Sequence, residues 1–236
     1  MSVVVIKSTY CGPPGYGNGG YVAGMVAKHM QGSVTVILRQ PTPLDTELVL
    51  AADRAGRVMM RHGQTLIAEA ASAEFDLEVP APPAFSAAAA TDNHPGLSTH
   101  PVPGCFVCGP RHQDGLRIFP NWLPDRDCVS AVWTPPPSLA DAEGKVLPEF
   151  IWAVLDCPGG FALTRGALIP VLLGKFSVQI HAPVPAGEPH ILTGWLIANE
   201  GRKYFTGTAL FSAAGELRAC ASATWIRLKD LTVLGS

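Results

Sequence analysis

SVTVILRQPTPLDTELVLA at residues 33–51 and KFSVQIHAPVPAGEPHILTG at residues 175–194 share one plan: an alternating apolar run, Pro-x-Pro, then a second apolar run. Alternation with period two marks a half-buried strand, and proline does not continue a strand ladder, so each stretch reads as strand, connection, strand. Pro41 and Pro43 stand against Pro183 and Pro185, an offset of 142 residues. Further on, ASAEFDL (71–77) matches ASATWIRL (221–228), with Ser72 against Ser222 at an offset of 150. The eight extra residues fit a longer hairpin in the second half, around ANEGRKYFTG (198–207). Two matches in the same order predict an internal repeat.

Each half also carries one helical pattern. GGYVAGMVAKHM (19–30) places Val22, Met25, Val26 and Met30 at helical spacing, with Asn18 as the cap. Strands follow at about 33–40, 45–54, 57–62 and 65–78. In the second half, strands near 115–120 and 127–133 precede the helix PEFIWAVLD (148–156), with Pro148 in its first turn. Strands near 173–182, 190–199, 202–213 and 216–228 complete it, and the short hairpins at 55–57 and 213–216 suit antiparallel pairing. One helix laid on an antiparallel sheet, twice over, is an α+β architecture. EVPAPPAFSAAAATDNHPGLSTHPVPG (78–104) has no amphipathic pattern and reads as the linker.

Composition narrows the function. Of the 236 residues 47% are apolar and 15% charged, so there is material for a core and no signature of disorder. A net charge of -2 gives no footprint for nucleic acid or an anionic membrane. No window reaches the ~20 apolar residues of a membrane span. The first residues, MSVVVIKSTYCGPPGYGNGG, lack the leading basic cluster of a signal peptide, so a cytoplasmic location is expected.

The order of these features resembles the hotdog fold, a long helix wrapped by a curved antiparallel sheet. Asn18-Gly19-Gly20 is similar to the His-Gly-Gly or Asn-Gly-Gly that opens the central helix of phenylacetyl-CoA-type acyl thioesterases. CFVCGPRHQDGLRI (105–118) resembles the Cys-x-x-Cys-Gly segment that often opens such a domain, and DCPGGFA (156–162) the end of the central helix in tandem members. The resemblance implies a double hotdog: a first unit at 1–80, a Pro/Ala-rich linker at 81–104 and a second unit at 105–236.

It also implies a chemistry. In such thioesterases, glycine amides at one helix start hold the developing oxyanion. A carboxylate on the other unit's helix, nine residues past that unit's own His position, activates water or attacks directly. Nine residues beyond Asn18 stands Ala27; Asp156 is present in the second half, but Leu147-Pro148-Glu149 stands where its glycines would be. With the two halves paired as the resemblance implies, Gly19 and Gly20 would meet Asp156 in one complete composite site, and the other, from Leu147 to Glu149 with Ala27, would be dead. Each residue also has a plain structural reading. Asp156 is a turn former before Cys157-Pro158-Gly159-Gly160, Gly19 and Gly20 permit close packing, Asn18 is a cap, and Glu149 suits a helix start.

The expected protein is an acyl-CoA thioesterase-like hydrolase, with a non-catalytic acyl-CoA or small-ligand binding protein as the alternative. Coenzyme A enters only as part of the substrate, and Arg111, Arg117, Arg202 and Lys203 are candidates to meet its phosphates. Tyr21, Met25, Phe150 and Trp152 are candidate walls for the acyl tunnel, and Thr164 a candidate hydroxyl partner for the acid. No cofactor is expected. His100, Cys105, Cys108 and His112 have ligand types for zinc but lie in one irregular stretch without a second ligand pair, so no metal is expected either. Self-association of the fused unit is plausible because hotdog sheets often pair further.

Overall fold

A computed structural model of the chain describes residues 1–90, 97, 100–166 and 169–229. Among these residues one antiparallel sheet of eleven strands packs against two central helices. The strands are β1 (Ser2–Val5), β2 (Val34–Leu38), β3 (Glu47–Ala52), β4 (Val58–His62), β5 (Thr65–Ser72), β6 (Asn121–Leu123), β7 (Cys128–Trp133), β8 (Val171–Ile180), β9 (His190–Glu200), β10 (Lys203–Ser212) and β11 (Leu217–Arg227). The helices are α1 (Gly19–Ala27), a short α2 (Phe85–Ala89) and α3 (Pro148–Ala162).

The sheet order is β1-β3-β4-β5-β2-β8-β11-β10-β9-β7-β6, so β2 and β8 meet at the seam between the halves. Outward from that seam run β5, β4 and β3 on one side and β11, β10 and β9 on the other. Thr35 pairs with Ser177 across the seam, Val34 with Val178 and Val36 with Phe176. Thr35 and Ser177 are 142 residues apart, and their hydroxyls lie 2.7 Å from each other. The segment before each helix bridges to the Pro-x-Pro of its own half, Tyr16 to Pro43 and Lys145 to Pro185.

Helix α1 begins where the sequence places it. The Asn18 side chain accepts from the Tyr21 amide at 2.9 Å and satisfies one of the donors that a helix start leaves open. Val22 and Val26 are wholly buried, each contributing about 1.5–3 kcal/mol. Helices α1 and α3 pack against each other and against the sheet, α1 mainly on β2, β5 and β8 and α3 mainly on β9, β10 and β11. A Cβ on Gly20 would lie 2.5 Å from Asp156 Cβ, and one on Gly24 would lie 2.7 Å from Glu149 Cα. Two glycines one turn apart thus set how closely the helices approach.

Three local expectations change. The helix expected to end at Asp156 continues through Pro158, Gly159 and Gly160 to Ala162. Tertiary packing overrides the turn signal: the Thr208 hydroxyl donates to the Leu155 carbonyl at 2.8 Å, beside the ladder position that proline interrupts. A Cβ on Gly194 would meet the Pro158 carbonyl oxygen at 2.5 Å, so strand β9 presses directly on the helix there. The expected strand at 115–120 does not form. Leu116 and Ile118 donate instead to Phe106 and Val107, and Arg117 takes a left-handed φ of 56°, leaving a strand only at Asn121–Leu123. Strand β1 was not expected; it pairs with β3 at the sheet edge.

Around α2 the linker packs on the sheet's outer face. Ala88 of α2 is fully buried there with Ile191, Ala209, Phe211 and Cys220. His94 lies outside the described residues. Among the described residues no helix is long and apolar enough to cross a membrane.

Candidate active site

Asp156 sits in the middle of α3 on the face turned to α1, and is 4% exposed. Its Oδ2 accepts from the Gly20 amide at 2.9 Å and from Asn18 Nδ2 at 3.1 Å. Its Oδ1 is buried with no hydrogen-bond partner. Residues separated by 136 positions in the chain thus meet where α1 begins. Asn18 does two jobs, since its oxygen caps α1 while its nitrogen binds the carboxylate.

Burial pushes the Asp156 carboxyl up to about 7. The Gly20 amide and Asn18 pull against that shift, while negative charge at Cys105 adds to it. A carboxyl poised near neutrality suits proton transfer at ordinary pH.

A cavity of about 290 Å³ opens onto this carboxyl. Leu38, Val171, Leu173, Trp225 and Ile226 form its apolar walls, and Asn18, Gly19 and Asp156 lie at its polar end. Gly19 belongs to the lining and its N–H has no acceptor among the described residues. Gly20 is not a lining residue, and its N–H is taken by Asp156. The amides of the first helical turn carry the positive end of the helix dipole, so the arrangement offers one engaged and one unengaged donor.

The sulfur atoms of Cys105, Cys108 and Cys157 border the same cavity and lie within 4.8 Å of one another. Asn18 Nδ2 also donates to Cys105 Sγ at 3.7 Å. Sulfur hydrogen bonds from Cys108 and Cys157 hold the Cys105 thiol well below its ordinary range, and their reciprocal bonds to Cys105 push both partners well above it. The zinc set weighed from spacing is not what the fold assembles. His112 Nε2 contacts the Thr9 carbonyl at 2.8 Å, and neither His112 nor His100 joins the sulfur cluster. Cys157 takes part instead; its distance along the chain from Cys105 hides it from any spacing rule.

The other candidates separate. Tyr21, Phe150 and Trp152 are core residues rather than cavity walls: Tyr21 stacks on Tyr10, Phe150 packs tilted against Tyr21 and Phe106, and Trp152 meets Phe176 edge-on. Met25 packs against the same core without lining the cavity. Thr164 is exposed, beyond the end of α3 and away from the cavity lining. Glu149 is buried and paired with Lys28 Nζ at 2.8 Å. Arg111 and Arg117 are exposed on the loop after Cys108, with Arg117 over the Phe119 ring. Arg202 and Lys203 are exposed at the β9–β10 hairpin, and Arg202 reaches the Arg227 carbonyl at 3.4 Å, between the cavity residues Ile226 and Leu228. None of the four basic residues lines the cavity; Arg39 does, and it is paired with Glu69 at 2.6 Å.

No family model matches the chain, and no curated protein sequence matches it. Solved structures do match over nearly its whole length. The tesB protein of Mycobacterium avium subspecies paratuberculosis is 15% identical, covers 95% of this chain and 91% of its own, and superposes with a TM-score of 0.59. A protein provisionally named a thioesterase, from Novosphingobium aromaticivorans, is 14% identical over 96% of this chain and 94% of its own, with a TM-score of 0.64. A protein provisionally named an oleoyl thioesterase, from Lactobacillus plantarum, is 11% identical over 97% and 96%, with a TM-score of 0.57. At such identities the likeness is one of fold. This chain shares their hotdog-type fold.

Proposed function

We propose that the chain hydrolyses acyl-CoA thioesters at one composite site between two fused hotdog units. The observation that carries the reading is Asp156 of α3 held at the start of α1, at the polar end of an apolar cavity. Support for the fused pair comes from the matching strand order on either side of the β2–β8 seam, and from Thr35 and Ser177, equivalent in the sequence repeat, meeting across it.

In this reading the acyl chain lies between Leu38, Leu173 and Trp225, and the thioester carbonyl takes a hydrogen bond from the Gly19 amide. Gly20 positions the acid rather than the substrate. The Asp156 carboxylate removes a proton from water as the water oxygen bonds to the carbonyl carbon. The oxyanion then collapses, the carbon–sulfur bond breaks, and the proton on Asp156 passes to the leaving thiolate. Apolar surroundings strengthen each of these electrostatic contacts relative to water. Arg202, beside the cavity rim, is the first choice for the CoA phosphates, with Lys203, Arg111 and Arg117 as further candidates. Glu149 takes no part, since Lys28 neutralises it where the second site would be.

Thiol release from a panel of short, long and aromatic acyl-CoAs tests the reading, and turnover of at least one class is expected. Tight acyl-CoA binding without turnover would support the binding-protein alternative and overturn the hydrolase.

A further inference from the structure

The hydrolysis reading leaves three buried thiols beside the acid without a role. Cys105, Cys108 and Cys157 are 4%, 1% and 6% exposed, yet two chain segments distant in sequence bring their sulfurs together. The first two lie in a tight turn closed by the Gly109 amide donating to the Cys105 carbonyl at 2.8 Å. The third projects from α3, next to Asp156.

We infer that Cys105, Cys108 and Cys157 form a binding site for a thiophilic divalent cation of the zinc type, because their three sulfurs converge within 4.8 Å of one another on the cavity wall. Zinc–sulfur bonds of about 2.3 Å in a tetrahedron place sulfurs about 3.8 Å apart, so the cluster needs to contract by about 1 Å at most. Neither Asp156 nor His100 belongs to the group, so the fourth position belongs to water or an incoming ligand from the cavity. Three protein ligands and one exchangeable position is the pattern of an open zinc site. Each sulfur binds as thiolate, so loading releases the thiol protons to solvent. The bound ion ties the 105–109 turn to α3 and fixes the wall beside Asp156. Binding is read without turnover, so the inference stands or falls separately from hydrolysis.

The test is titration of the reduced, chelator-treated full chain with Co²⁺, followed by displacement with Zn²⁺. One Co²⁺ per chain is expected, with a thiolate charge-transfer band and the strong visible bands of tetrahedral cobalt. C105S, C108S and C157S should each abolish the band, while C128S and C220S, whose sulfurs lie outside the cluster, should keep it. Should a serine variant fail to fold, the wild-type chain still decides: bound Zn²⁺ must protect Cys105, Cys108 and Cys157 together from alkylation. Absence of the band, cobalt binding that survives C157S, or alkylation unchanged by Zn²⁺ would each overturn the inference.

Discussion

The Gly20 amide donates to Asp156 Oδ2 across 2.9 Å, joining the first turn of one central helix to the middle of the other. The contact exists only because residue 20 has no side chain, since a Cβ there would also lie 2.7 Å from the Trp152 carbonyl oxygen. Fold and site therefore share a single constraint.

G20A should destabilise the protein by on the order of 3 kcal/mol, because the obstacle is helix backbone that cannot rotate away. Gly104→Ala, where the new Cβ meets open space, should change stability by less than about 0.5 kcal/mol. Urea denaturation of both variants at one pH checks the contrast. Equal stabilities would mean that α1 and α3 do not approach this closely.

The buried acid makes stability depend on pH in a stated direction. The Asp156 carboxyl stands at about 7 in the fold, against about 3.9 in an unfolded chain. Between those values the folded state holds the extra proton, so stability falls as pH rises from about 4 to about 7. D156N keeps the amide acceptor for Gly20 and carries no charge, so it should lack this decline and be more stable than wild type at pH above about 7. Denaturation series on chelator-treated protein measure both curves. Over the same range, thioester turnover by the wild type should rise with pH as the carboxylate forms. Wild-type and D156N stabilities that run parallel in pH would contradict the shift.

On the proposed reading Lys28 and Glu149 stand where a second site would lie, and they should matter for stability alone. K28M leaves a buried carboxylate unpaired and should cost about 1–3 kcal/mol, discounted from a fully buried pair because Lys28 is 36% exposed. E149Q should retain wild-type thioester turnover. Loss of turnover in E149Q with the fold intact would move the catalytic acid from Asp156 to Glu149.

If the proposed function holds, the cavity walls set acyl preference. Leu173 and Leu38 face each other near Gly19, where a Cβ on that glycine would touch both. L173W should lower kcat/KM for long acyl chains by roughly tenfold or more while sparing the shortest, since lost or blocked methylene contacts are worth about 1–3 kcal/mol. A uniform loss across chain lengths would place the acyl group elsewhere.

Much of this was legible in the sequence because its signals are local. Alternating runs marked most of the strands, Asn18 and the apolar spacing marked α1, and the nine-residue spacing of the resembling thioesterases, counted from Leu147 in the second half, pointed to Asp156. What escaped depends on tertiary contact. Pro158-Gly159-Gly160 reads as a turn by propensity, and becomes helix because β9 and β10 press on it through Gly194 and Thr208. Val3, Val4 and Val5 lack alternation, so β1 was invisible until β3 supplied an edge. Tyr21 and Phe150 looked like tunnel walls, but helical spacing does not tell a face turned to a helix from one turned to a cavity. Cys157 joins Cys105 and Cys108 only through the fold. The count that picked Asp156 also left open which glycine amide remains unengaged, and that is decided by the bond from Gly20.

Thiol release by D156N beside wild type, on whichever acyl-CoA the wild type turns over fastest, tests the central claim most directly. The account predicts a folded variant whose kcat falls by about 100-fold or more, the usual contribution of a positioned general base. Undiminished turnover by folded D156N would contradict it.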